Sequence, residues 1–178
     1  FALIATLNNL ADYGSNFQFV RHVLSMDTVF PGNELLHRQV TTPTTWRVAY
    51  ALLILGEGLT GLCLAIAAFV LFRHCRSEAM LFNRAKRLVH VGAVLGFLVW
   101  FFGFMVIGGE WFQMWQSETW NGQEAAFRIY VTILVVLIYV SQNDAELPPL
   151  SERKRPQREG SNRLFCNDIK SKHVALVA

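Results

Sequence analysis

The sequence predicts an all-α integral membrane protein: a four-helix transmembrane bundle, its first helix only partly present, with a short interfacial helix on the outer side. Three observations predict it. The 178 residues are 53% hydrophobic and 16% charged, with a mean hydropathy of +0.31, too apolar and charge-poor for an ordinary soluble domain of this length. The charges are unevenly placed, leaving tracts of about 18 or more residues with one ionisable group or none, the length that crosses a hydrocarbon core roughly 30 Å thick. The loops between these tracts differ in charge, one basic and one acidic.

The chain opens with "FALIATLNNL", whose run of about seven apolar residues is too short to span and reads as the last turns of a helix over 1–10. Residues 11–45 follow as an outer segment. Within it Phe17, Val20 and Leu24 share one helical face, bracketed by Asp12, Arg21 and Asp27, so a short interfacial helix is expected over roughly 15–26. "FPGNE" at 30–34 breaks it, Pro31 fixing φ and Gly32 permitting the turn.

The first complete span is expected over 46–72, entered after Pro43 with Thr44 or Thr45 as N-cap. The second covers 88–109 and the third 125–142, the last being β-branched but long enough to favour a helix. Between the first two lie Arg73, Arg76, Arg84, Lys86 and Arg87 against Glu78, whereas 110–124 carries Glu110, Glu118 and Glu124 without a Lys or Arg. Cytoplasmic loops carry the excess of basic residues, so 73–87 and the C-terminus are expected in the cytoplasm of an inner-membrane protein, and 10–45 and 110–124 in the periplasm. The membrane domain is then 1–144. Residues 145–178 form a polar, Pro-containing tail without periodicity, expected to be disordered, whose "ERKRPQR" is able to touch anionic head groups.

"DYGSNFQFVRHVLSMD", the glutamate within "ILGEGLTGL", "FNRAKR", "GGEWFQMWQ" and "AFRIYVTILVVLIYVSQND" together resemble the DUF2165 family of bacterial small integral membrane proteins, over about residues 1–144. The resemblance implies a four-helix membrane protein with a first span beginning upstream of Phe1. It implies no particular activity.

Glu57 is the most informative single residue. At 1.5 Å per residue it lies about 16 Å from Trp46, near mid-membrane. A charged and unpaired carboxyl there costs at least ~2.5–3.5 kcal/mol, so it must be protonated, paired or wetted by a cavity. Glu57, Gly61 and Ala65 share a face of small residues, which points the carboxyl into the bundle. It is either a proton or cation site or a buried carboxyl hydrogen-bonded to a neighbouring helix. Arg128, one turn inside the outer end of the third span, is free to snorkel, to pair with Glu124 on its own helix, or to meet Glu110 or Glu57.

His90 lies near the inner surface. With His74 it offers a haem pair, or alone a pigment ligand, although an interfacial histidine without a ligand explains it as well. Gly92 and Gly96 form a GxxxG for close helix approach, with Gly103 continuing nearly the same face. Arg84, Lys86 and Arg87 are placed to anchor the inner end of their helix on lipid phosphates. At the outer end, Gly108 and Gly109 are expected to release the chain from the helix. Trp111, Phe112 and Trp115 then lie flat as an amphipathic turn in the head-group layer, with Glu110 accepting hydrogen bonds there or meeting Arg128. A ligand cage is the alternative reading of that rim.

Cys63, Cys75 and Cys166 show neither a disulfide framework nor zinc spacing, and no cofactor or metal is expected. The basic residues sit where topology requires them, which argues against nucleic acid as a partner. One carboxyl, one arginine and one rim histidine are thin for catalysis. The expected function is therefore a non-catalytic accessory or assembly subunit, contacting lipids and a larger membrane complex of respiratory or photosynthetic type. The alternative is an oligomeric proton, cation or small-solute transporter using Glu57.

Overall fold

The computed structural model describes residues 1–145, and among them every regular element is helical. Three helices are long and apolar enough to cross a membrane: α3 (Pro43–His74), a continuous second helix over Ala79–Trp111, and α6 (Gln123–Val140). They are preceded by α1 (Ala2–Ala11), an apolar helix of 10 residues, and α2 (Tyr13–Ser25). Below, the end of the molecule carrying residues 75–78 is the basic end, and that carrying residues 112–122 the aromatic end.

Helix α2 stops at Met26, held in the left-handed region at φ 51. Pro31 and Gly32 then make a tight turn closed by the Asn33 N–H on the Phe30 carbonyl, Gly32 taking the positive φ of 79 that a side chain resists. The N-cap of α3 is Thr42 rather than Thr44 or Thr45, because Pro43 has no N–H to lose and takes the first helical position.

The region 73–87 is not one loop. Its turn is confined to 75–78, and the rest is α4 (Ala79–Ala85), joined at Lys86 to α5 (Arg87–Phe97). "AMLFNRA" contains good helix formers and neither glycine nor proline, so the helix starts about two turns before the apolar span does.

From Leu98 to Trp111 the helix widens to i→i+5 hydrogen bonding over 14 residues, where such windings normally occupy one turn. The pair Gly108–Gly109 does not release the chain as expected. Both are buried inside this wide stretch, Gly109 lying against the Gln123 side chain. The helix ends only where the Phe112 N–H reaches the Ile107 carbonyl and Gln113 turns to φ 55.

Helix α1 runs antiparallel to α3, with Leu3 beside Gly61 and Asn9 beside Tyr50 and Glu57. The second long helix packs on α3, and α6 packs on the second long helix. Ala2, Trp100 and Ala126 form one buried cluster near the middle, while Val23, Met26, Phe112 and Met114 form another at the aromatic end. Phe112 is therefore a core residue and does not share an outward face with Trp111 and Trp115, which are exposed. Ala65, one turn beyond Gly61 on α3, is exposed. The predicted tail over 145–178 falls, except for Ala145, outside the described residues.

Candidate functional site

Glu57 is 4% exposed, about halfway along α3. Its Oε2 accepts a hydrogen bond of 2.7 Å from the Asn9 Nδ2 of α1. The Tyr50 hydroxyl donates to the Asn9 carbonyl at 2.9 Å and lies 3.3 Å from the Asn9 Oδ1. Asn9 thus bridges a phenol and a carboxyl that both come from α3, two turns apart on one face. The Tyr13 ring stands edge-on to Tyr50 at 4.8 Å and Phe17 lies 6.0 Å from it, so α2 roofs the network. No cation pairs with Glu57 among the described residues.

A separate cavity of about 420 Å³ lies between α2, α3 and the second long helix. Gly56, Leu53, Val99, Gly103, Val23 and Phe112 are on its wall, every residue of which is apolar; Glu57 is not among them.

The aromatic end is tied together by side chains. Gln116 Oε1 accepts from the Phe30 N–H at 3.0 Å and from Asn33 Nδ2 at 2.9 Å, and Thr28 donates to the buried Ser117 at 2.9 Å. Trp120 stacks on His22 at 4.6 Å. Arg38 sits over the Trp111 ring at 4.5 Å and borders, with Glu110, a second hollow of about 510 Å³. Gln113 donates to the Glu110 carbonyl, not to its carboxylate, and Glu110 does not reach Arg128.

Residues 1–143 match the family described as "predicted small integral membrane protein (DUF2165)". The chain belongs to the DUF2165 family. No curated protein and no solved structure matches it.

Elsewhere in this DUF2165 chain the candidate residues are dispersed. Arg128 pairs with Glu124 one turn back on α6, both at the surface with side chains 74% and 79% exposed, so neither Glu57 nor Glu110 is its partner. His90 gives its Nδ1–H to the Lys86 carbonyl at 3.0 Å, since a carbonyl only accepts. Its Nε2, 3.0 Å from the Ser141 hydroxyl, is then the acceptor in the neutral ring. A haem or pigment ligated there would have to displace Ser141. His74 is likewise bound at Nδ1 to the Val70 carbonyl. Among the described residues no group of three or more His, Cys, Asp or Glu side chains is arranged for a metal.

Lys86 does not reach lipid phosphates as expected. It is buried, with its ammonium on the Gln142 carbonyl and the Asp144 carboxylate and 5.4 Å from the Phe82 ring. It joins the α4–α5 junction to the segment after α6, while Arg84 and Arg87 stay exposed. Of the glycines, Gly92 faces Leu64 of α3, and Gly96 sits between Thr60 of α3 and Ile133 of α6. Gly103 meets no neighbouring helix and lines the cavity instead.

Asn9, Tyr50 and the cavity lie outside the residues singled out from sequence. Two signals pointed to the first two: an amide inside an apolar run, and a tyrosine seven residues before Glu57 on the same helical face. The cavity had none, since it arises from glycines and a wide winding.

Proposed function

We propose that this DUF2165 protein is a non-catalytic subunit of a larger membrane complex. It sits in the inner membrane as a four-helix bundle, with α2 along the outer interface and the basic end in the cytoplasm. The observation that supports it is a strip of rings on the seam between the second long helix and α6. Phe97, Phe101, Tyr130 and Phe127 are contiguous, with centroids 5.4–6.2 Å apart, and Phe101 and Phe127 are exposed. Lipid covers such a strip without penalty. Rigid rings that lose little entropy on contact are nevertheless what the core of a protein interface is enriched in. Native purification in mild detergent tests this. A lone species of about 20 kDa sinks the proposal, as does a co-purifying partner that survives Phe101→Ala with Phe127→Ala in a folded protein.

The buried position of Glu57 favours a second reading, proton or cation passage through an oligomer. Its carboxyl is held by Asn9 and turned away from the cavity, which weighs against that reading. Flux in liposomes that vanishes in Glu57→Gln would establish it.

A further inference from the structure

The 420 Å³ cavity lies within the two long spans, from the level of Gly56 to Met114 under the aromatic-end cap. Water does not settle there, because a buried water needs about two to four polar partners and the wall presents apolar side chains and glycines. Nor is an empty space of this size favourable, since wall atoms facing a void lose their dispersion partners. Apolar cavities of about 150 Å³ already take up small apolar guests. The occupant is therefore apolar.

Its route is visible in the wall. Leu52, Leu98 and Ile107 border the cavity and are also 62%, 54% and 38% exposed. They form a lateral slot between α3 and the second long helix that faces the bilayer. Val23, Phe112 and Met114, all buried, form the floor. A ligand with a polar head, such as a quinone ring, would need a donor or acceptor to fix it, and no side chain in this wall offers one. A hydrocarbon chain needs none. We infer that the cavity is a seat for one acyl chain of a membrane phospholipid, entering sideways through the slot.

Gly103→Leu provides the test. A Cβ built at Gly103 meets only the Leu98 carbonyl within 4 Å, at 3.5 Å, so a larger side chain has the cavity to grow into. The full chain, purified in mild detergent and washed, is extracted and its lipids are identified by mass spectrometry. The expected result is a retained phospholipid in the wild type and its loss in folded Gly103→Leu. An isoprenoid quinone in its place, no lipid, or equal retention in both proteins overturns the inference. Should Gly103→Leu fail to fold, the wild type in phosphatidylcholine vesicles carrying a diazirine on the acyl chain decides. Labelling at Val23, Phe112 or Met114 supports the seat, because these side chains are shielded from bulk lipid. Labelling confined to outward residues such as Val135 and Ile138 overturns it.

Discussion

Asn9 gives the Glu57 carboxyl a donor in a place where water is scarce, and this one bond decides how the two residues respond to substitution. Asn9→Leu leaves a buried acceptor without its donor and is expected to lower stability by about 1–2 kcal/mol, between the modest worth of interhelical hydrogen bonds and the cost of an orphaned polar group. Replacing both residues, Asn9→Leu with Glu57→Leu, removes donor and acceptor together and should recover most of that loss. Unfolding followed by tryptophan fluorescence in micelles checks it; a double variant as damaged as the sum of the singles would mean that packing, not the bond, matters. By contrast, Arg128→Ala should change stability by no more than about 0.5 kcal/mol, since its pair with Glu124 is exposed and local to one helix. An ionisable residue near mid-span on a face with Gly61 is enough to place Glu57 toward a neighbour from sequence alone. The identity of that neighbour is not legible, because Asn9 lies 48 residues away and only the packing of α1 on α3 brings it there. Lys86 misleads for a related reason: its composition matches the two surface arginines, and its burial depends on where α6 ends.

Between elements, the glycines differ in what a methyl group would strike. At Gly61 an ideal Cβ lies 2.8 Å from the backbone nitrogen of Leu3, so α1 and α3 must separate; at Gly96 the closest atom is the tip of the Ile133 side chain at 2.7 Å, which is able to swing away. Gly61→Ala is accordingly expected to cost about 1–3 kcal/mol by overpacking, and Gly96→Ala less. The reverse order in a thermal-unfolding series would show that the α1 contact is looser than described. Long apolar runs make the existence of three spans legible, α6 being bounded by Gln123 and Val140 against an expectation of 125–142, whereas the second long helix starts at Ala79, well before the expected 88. Winding is not legible in the same way. Gly108 and Gly109 carry the signature of a helix end, and only the tertiary fit against Gln123 reveals that the chain stays helical past them. The same wide winding makes Gly103 a cavity wall rather than a third contact in the GxxxG row.

At the scale of the whole molecule, topology is the property that a single reagent reads. Cys75 is exposed in the turn at the basic end, whereas Cys63 lies inside α3 with its Sγ 3.6 Å from the Leu88 carbonyl. With the basic end inward, a membrane-impermeant maleimide should label Cys75 in inverted vesicles and not in intact cells. To keep the reading specific, Cys166 is first replaced by Ser. Labelling from the outside would reverse the proposed orientation. The contact between α1 and α3 also has a consequence in time. At about 5–20 residues per second of synthesis, Asn9 emerges roughly 2–10 s before Glu57. The amide is thus made before the carboxyl that binds it. The ribosome's N-to-C direction presents each new α3, from the moment it leaves the translocation machinery, with a waiting donor for its one costly side chain.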